Sequence, residues 1–441
     1  MKRYVVIGSG AAGIAAAEAI RQRDEQGEIV MIAAEKEGYY SRPGLAYYLT
    51  GELGEKSLFP FGRQDFKRLK VRLKLGVATR IDPAAGVVEM RDGSWVPYDR
   101  ALIAVGASAV KPDLPGIDLD GVVYLDILGG TRDMIRKARR SKSAVVVGGG
   151  ITALEIVEGL RARRVKVHFL LRRDRYWGAV LDEIESRIVE NKLREDGVKL
   201  HFNTEVEAVL GRRGKVSGMR TTDGREIKCQ LAAFAIGVRP RLELAQASGL
   251  DTERGILVNE FLQTSQPEIY AAGDAAQVYD PLTGRSTLDS LWSTARQQGY
   301  FAGLNMTGQP SRYQKSVPFN VTRLAGLTTT IIGMVGSRQV DEEMQGIVRG
   351  ESETWHSIPD AIACQSNFDV NRLRLLVGRN RLLGAVVMGN QTLSQPLQHM
   401  IAFEADITPI REQLLQPNAN LVTLITNFWI SWRKNYAAQQ H

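Results

Sequence analysis

Two short glycine runs hold the residues best suited to chemistry in this chain. Gly8-Ser9-Gly10-Ala11-Ala12-Gly13 follows the apolar stretch Tyr4–Ile7, and Gly148-Gly149-Gly150-Ile151 follows Ala144–Val147. In the first run, Gly8 permits a tight turn out of a strand and Gly10 lets backbone approach a pyrophosphate. Gly13 then allows the following helix to pack closely on the sheet. The helix start contributes amide donors and a partial positive charge, which together suit an anion. Glu35 closes a second apolar run, Ile29–Ala33. A carboxylate there can accept hydrogen bonds from a ribose diol.

The second run has Ala153 where the first has its third glycine, and its second strand, Val165–Leu171, ends in Arg172-Arg173-Asp174-Arg175. A carboxylate at that point reads an unmodified ribose, whereas arginines accommodate a 2′-phosphate. The same arginines also fit a solvated basic turn. Three other strand-like runs end in glycine: Leu102–Ala107, with Ala104 and Gly106; Ala233–Pro240, with Gly237; and Glu268–Ala275, with Gly273 and Asp274. Ligands of open α/β sheets bind at the carboxyl ends of strands.

Strands and helices must alternate to position these turns, and they do so over most of the chain. Tyr4–Ile7, a helix over Ile14–Arg23 and Ile29–Ala33 form one unit, and Ala144–Val147, Thr152–Arg163 and Val165–Leu171 repeat it. The pattern reads as α/β with parallel sheets. Beyond about residue 312 it changes. Asn320–Val335 is rich in Thr, Ile and Leu, Leu373–Val377 and Leu383–Val387 form a hairpin around Gly378–Arg381, and Leu393–Trp432 reads as helices interrupted by Pro396, Pro409 and Pro417.

Composition narrows the chemistry. Only Cys229 and Cys364 are present, too few for a disulfide framework, and the five histidines have no metal-ligand spacing. The expectation is a cytoplasmic protein without a resident metal. No apolar run reaches the length of a membrane span, and the N-terminal apolar stretch is too short for a signal-peptide core. The net charge of +8 permits anionic ligands. The basic segment Lys67–Leu75 lacks the aromatics of a nucleic-acid groove, so nucleic acid is not an expected partner.

The order of these segments resembles the pyridine-nucleotide–disulfide oxidoreductase superfamily over residues 1–312, and more loosely beyond. Tyr39-Tyr40-Ser41-Arg42-Pro43-Gly44-Leu45 and Leu291-Trp292-Ser293-Thr294-Ala295-Arg296-Gln297-Gln298-Gly299 resemble segments of its rubredoxin, ferredoxin and nitrite reductase flavoprotein and NADH oxidase branch. The resemblance implies two Rossmann-like dinucleotide-binding domains, for FAD and NAD(P), plus an α+β C-terminal interface domain. Residues 1–112 and 248–312 would bind FAD, residues 113–247 would be the inserted NAD(P) domain, and residues 313–441 the interface or dimerisation domain. FAD would be held by Gly8, Ser9, Gly10, Ala11, Ala12, Gly13, Glu35, Arg42, Pro43, Thr79, Ala104, Gly106, Gly273 and Asp274. NADPH or NADH would be held by Gly148, Gly149, Gly150, Ile151, Arg172 and Arg173, with Gly237 as a further cofactor-binding position. Glu155 would lie beside the nicotinamide as the catalytic candidate.

Departures from the superfamily limit the chemistry. No cysteine precedes Cys229, so dithiol and cysteine sulfenic acid mechanisms are excluded. Ala46-Tyr47 replace the Ser-Lys whose lysine pairs with the counterpart of Glu155. The chemistry then belongs to the cofactors: hydride passes from NAD(P)H to FAD, and electrons continue to an external acceptor. That acceptor is expected to be a small redox protein such as a ferredoxin or rubredoxin. The alternative is a flavoprotein subunit whose acceptor sits on a partner or a membrane. In the C-terminal segment, Leu421, Leu424, Ile425, Phe428 and Trp432 share one helical face. That face either packs on its own domain or docks a second copy, with a membrane surface as the weaker alternative.

Overall fold

A computed structural model describes residues 1–280, 284–335, 362–368 and 371–439. The chain divides into two compact units. One comprises Met1–Asp113, Val122–Ser141 and Phe234–Lys315, and the other Leu114–Gly121, Lys142–Ala233 and Ser316–His441.

The first unit is built on a parallel sheet in the order Ile269–Ala271, Arg100–Ile103, Arg3–Ile7, Glu28–Ala33, Val71–Leu75. Val5, Val6, Ile29, Met31, Leu102 and Ile103 are all inaccessible to solvent. A parallel sheet covered on both faces needs such continuous apolar runs, which explains why its strands do not alternate. The chain leaves Arg3–Ile7 towards one side and later returns to pair on its other side, so the carboxyl end of this central strand is a topological switch point.

Two helices, Ala11–Arg23 and Trp292–Met306, pack together in this unit, and small residues set their separation. A Cβ on Gly299 would lie 2.1 Å from the Ala12 carbonyl oxygen, and one on Gly303 would lie 2.5 Å from that of Ala16. The alanine-rich face of the first helix therefore meets bare backbone on the second.

In the second unit, Lys199–His201, Lys166–Leu170, Ser143–Val147 and Leu231–Phe234 are neighbours in that order, the first three running parallel. The helix Ile151–Ala162 follows the second glycine run. Further along, Phe319–Leu324, Leu327–Gly333, Leu382–Met388, Asn371–Val377 and Ile362–Phe368 form an antiparallel sheet in that order. The expected hairpin is present, and the helices Ser394–Ala402 and Leu421–Gln439 pack over its apolar residues.

One expectation changes in detail, and for the C-terminal face one of the stated alternatives is seen. Pro396 does not interrupt a helix; it lies in the first turn of Ser394–Ala402, where its missing N–H has no intrahelical partner to lose. In the C-terminal helix, Leu421 and Ile425 are buried in the core of their own unit, with Leu424, Phe428 and Trp432 packed around it. Among the described residues no helix is long and apolar enough to cross a membrane.

The packing of Gly299 on Ala12 makes a direct prediction. Gly299→Val should destabilise the protein by about 1–3 kcal/mol or more, because backbone on both sides of the new side chain cannot move away cheaply. Thermal unfolding would show this as a lowered Tm, and an unchanged Tm would mean the two helices can separate freely.

Candidate functional site: two glycine turns at strand ends

Three neighbouring strands of the first unit end level with one another. Ile7 pairs with Ile32 on one side and with Ile103 on the other, and Ile103 pairs with Ala271. The hydrogen bonds continue one residue further: Gly8 N–H to Ile32 O (2.8 Å), Ala104 N–H to Ile7 O (2.8 Å) and Ala272 N–H to Ile103 O (3.1 Å). The first glycine run, Ala104 and the Gly273-Asp274 turn therefore leave the sheet from a single crest.

The glycines are required there for different reasons. Gly8 has φ +117°, and a Cβ on it would stand 2.1 Å from the Ala104 carbonyl oxygen. A Cβ on Gly13 would collide with the Gly8 carbonyl oxygen at 2.1 Å. Around Gly10 the space is open, with no protein atom within 4 Å of an added Cβ. Gly10 is thus not needed for packing, and it caps a helix whose N-terminus has no side-chain acceptor. Bare amides, a helix dipole and empty space suit a pyrophosphate. Ser9, beside Gly10, donates its hydroxyl to the Gly38 carbonyl at 3.1 Å, and Ala11 and Ala12 form the first turn of the helix.

Beyond the neighbouring strand, Glu35 sits in a small network. Its Oε1 accepts from Arg42 Nη2 at 2.8 Å and its Oε2 from the Tyr40 hydroxyl at 2.7 Å. Each carboxylate oxygen has acceptor capacity left for a ribose hydroxyl. Arg42 Nη1 also donates to the Asp126 carbonyl (2.8 Å), and its guanidinium lies 5.2 Å from the Tyr40 ring centre. Pro43 precedes the helix Gly44–Thr50. Thr79 is exposed on the Ala78–Asp82 strand of an antiparallel meander, donating its hydroxyl to the Glu89 carbonyl at 3.3 Å.

Gly106 and Gly237 lie in the same unit. Ala107–Ala109 pairs antiparallel with Val238–Pro240, and Val110 N–H donates to the Gly237 carbonyl at 2.9 Å. Gly106 accepts from Arg241 N–H at 3.0 Å. Gly237 is therefore grouped with Gly106 and not with the second glycine run. At the Gly273-Asp274 turn, Gly273 has φ +79° and donates its N–H to Gln298 Oε1 at 2.8 Å. Asp274 is half-buried.

The second unit repeats the first arrangement. Val147 pairs with Leu170, and Gly148 N–H reaches the Leu170 carbonyl at 3.3 Å. Gly149 and Gly150 have nothing within 4 Å of an added Cβ, and Ile151 starts a helix with no side-chain cap. Arg172 and Arg173 are exposed just past the end of the adjacent strand, while Arg175 folds back so that a Cβ on Gly178 would meet its Nε at 2.8 Å. Glu155 is half-buried on the helix Ile151–Ala162. Burial first, and then the charges of Glu158 and Glu155, hold the Tyr176 hydroxyl far above the usual tyrosine range.

Three residues of these networks were not singled out individually from sequence. Tyr40 and Gln298 lie inside the two quoted motifs, so their signal was present. Asp289 had none. It is buried just before the helix Trp292–Met306, its carboxylate accepting from Leu291 N–H (3.2 Å) and Thr294 Oγ1 (3.1 Å). Cys229 is also buried, and burial pushes its thiol up to about 12, against thiolate chemistry. Cys364 is on the strand Ile362–Phe368, whose side chains lie outside the described residues, as does His356.

Two predictions come from this geometry. Because Gly10 faces open space, Gly10→Val should fold normally yet purify without the flavin expected at this turn. Full flavin absorbance in a folded variant would remove this turn from the site. Burial raises the Asp289 carboxyl above its ordinary range, against the pull of Lys315, Thr294 and the Leu291 amide. Its contribution to stability is then fully present below the unfolded value of about 3.9 and is lost as pH rises through the native value. Across that window the loss reaches about 1.4 kcal/mol per pH unit, and Asp289→Asn should flatten it in a Tm-against-pH series. An identical slope in both proteins would contradict this.

The chain is similar to known proteins. The family model for pyridine nucleotide-disulphide oxidoreductases matches residues 2–299. Rhodocoxin reductase of Rhodococcus erythropolis is 31% identical over 74% of this chain and 78% of its own length. The epsilon subunit of the NADH-dependent phenylglyoxylate dehydrogenase of Aromatoleum evansii is 26% identical over 94% of each. The crystal structure of a ferredoxin reductase from Rhodopseudomonas palustris has the same fold, with a TM-score of 0.83 at 23% identity, over 96% of this chain and 99% of the other. With two glycine turns at strand ends and no early cysteine, the chain belongs to the pyridine nucleotide-disulphide oxidoreductase family and is an FAD-dependent NAD(P)H oxidoreductase.

Proposed function

We propose that this flavoprotein takes reducing equivalents from NADPH in preference to NADH and delivers them to a small electron-carrier protein of the ferredoxin or rubredoxin type. The observation that carries the reading is a pair of dinucleotide turns in a chain with no cysteine before Cys229. Without a thiol to relay electrons or form a sulfenic acid, they must leave from the cofactor itself. The similarity to rhodocoxin reductase supports a carrier protein as acceptor.

In this reading Gly8, Ser9, Gly10, Ala11, Ala12 and Gly13 hold the FAD pyrophosphate, and Glu35 its adenosine ribose. Arg42 and Tyr40 keep that carboxylate oriented. Pro43 and Thr79 flank the adenosine end. Asp274, on a turn fixed by Gln298, binds near the ribityl chain beside Ala104 and Gly106. Gly148, Gly149, Gly150 and Ile151 receive the coenzyme, Arg172 and Arg173 read its 2′-phosphate, and Glu155 stands beside the nicotinamide. Gly237 shapes the loop that also carries Gly106. Bound flavin supplies the redox chemistry, accepting hydride from the reduced nicotinamide and releasing electrons singly or in pairs. The protein's task is to hold the reactants in register and keep water and oxygen away.

Residues 1–112 with 248–312, 113–247 and 313–441 serve in this reading as FAD, coenzyme and interface domains, the last meeting a second copy or a partner subunit. A second reading has its own support. The likeness to a dehydrogenase epsilon subunit spans nearly the whole of both chains, which fits a flavoprotein component of a larger complex.

Two measurements test the proposal. Reoxidation of the reduced protein should be fast with a ferredoxin or rubredoxin and slow with oxygen, and equal rates would count against a carrier. A charge-assisted arginine–phosphate bond contributes about 1.5–3 kcal/mol, so Arg172→Glu should shift preference towards NADH by roughly ten- to a hundred-fold. An unchanged preference would return Arg172 to a solvated turn.

A further inference from the structure

The segment from Arg172 to Asp182 is held from behind by two arginines of a distant strand. Arg372 and Arg374 lie on Asn371–Val377, separated from their partners by 190 and 189 residues of sequence. Arg374 grips the Glu185 carboxylate with two bonds, Nε to Oε1 at 2.9 Å and Nη2 to Oε2 at 3.1 Å, and Nη2 also donates to the Val180 carbonyl at 2.7 Å. Arg372 Nη2 pairs with Asp182 Oδ2 at 2.6 Å. The Arg372 and Glu185 side chains are 1% and 0% exposed, so the centre of this cluster is out of water, with Asp182 at its partly exposed edge.

The same carboxylates organise the start of the helix Glu183–Glu195. Asp182 accepts from Glu185 N–H at 2.8 Å and Glu185 accepts from Asp182 N–H at 2.9 Å, a reciprocal cap. Deeper in the helix, Glu190 accepts from Tyr176 N–H at 2.8 Å, and the Ser186 hydroxyl donates to the Tyr176 carbonyl at 2.7 Å. At its other end, the segment is tied by Asn203 N–H to the Arg173 carbonyl at 3.1 Å. Arg172 and Arg173 are thus presented from a strap with anchors at Arg173, Tyr176, Val180 and Asp182.

Buried ion pairs are a costly way to join two elements, since apolar residues of the same volume often hold them at least as firmly. What a bidentate arginine adds is a fixed geometry. We propose that Arg374, assisted by Arg372, is a positioning residue for coenzyme selection: it sets the placement of the Arg172–Arg173 end of the strap without touching the coenzyme. The inference rests on the reading of Arg172 and Arg173 as the coenzyme-reading pair. Removing Arg374 leaves Glu185 without its bidentate partner and releases the Val180 carbonyl, so the strap loses its Val180 anchor while Asp182 keeps Arg372 and the glycine turn at Gly148–Gly150 is untouched.

The test uses the FAD-loaded full chain with Arg374→Met and Arg374→Lys, comparing NADPH and NADH in steady-state assays with an artificial acceptor. Flavin content and Tm are measured alongside. Arg374→Met should raise KM for NADPH by about tenfold and for NADH much less, with kcat within about twofold, because only positioning of the 2′-phosphate partners is lost. Lysine keeps the charge but not the fork, so Arg374→Lys should fall between. If Arg374→Met does not fold, Arg374→Lys decides on the same criterion. An unchanged NADPH-to-NADH ratio of kcat/KM in the folded variants, or an equal loss with both coenzymes, overturns the inference. Arg172→Glu is run in parallel. A shift there with none in the Arg374 variants defeats the positioning role alone, whereas no shift in Arg172→Glu defeats the underlying reading.

Discussion

A helix end can hold a pyrophosphate on its own amides only if nothing larger than a hydrogen atom stands between backbone and ligand. Both compact units of this protein are arranged around that constraint. In each, a parallel strand ends in glycine, a helix starts without a side-chain cap, and charged residues follow the end of the next strand, Glu35 in one and Arg172 and Arg173 in the other. The open space at Gly10, Gly149 and Gly150 contrasts with the crowding at Gly8 and Gly13. Crowded glycines make the turn, and open ones leave room for what it binds.

The surrounding structure serves to keep those turns in place. Helix Trp292–Met306 lies directly on the first turn's helix through Gly299 and Gly303, and from the same helix Gln298 fixes the Gly273-Asp274 turn. One packing contact and one hydrogen bond thus tie both the Gly8–Gly13 turn and the Gly273-Asp274 turn to the same helix. Further out, charged side chains are held by their neighbours. Glu35 is oriented by Arg42 and Tyr40, and the arginine-bearing strap is backed by Glu185 and Arg374.

Local features were legible in the sequence. The glycine runs, the strands preceding them and the Leu373–Val377 hairpin depend on neighbouring residues, and so their elements were found with small boundary shifts. What escaped depends on distant partners. Arg372 and Arg374 sit in an apolar strand with nothing nearby to explain them, because Asp182 and Glu185 arrive only through the fold. Nothing in the residues around Asp289 marks it out, because its burial is set by the fold. The apolar face of the C-terminal helix was ambiguous for a similar reason: periodicity shows that a face exists, while only packing shows that Leu421 and Ile425 belong to its own core. Pro396 misled because a proline in a first helical turn and a proline ending a helix look alike in sequence.

In the proposed function, one turn holds a flavin and the other a reduced nicotinamide that reduces it. Anaerobic titration of the purified protein with NADPH, followed by flavin absorbance, tests this most directly. Complete bleaching by one equivalent of NADPH per bound flavin is the predicted result. Flavin that stays oxidised under excess NADPH and NADH, in protein that carries its full complement of FAD, would contradict the account.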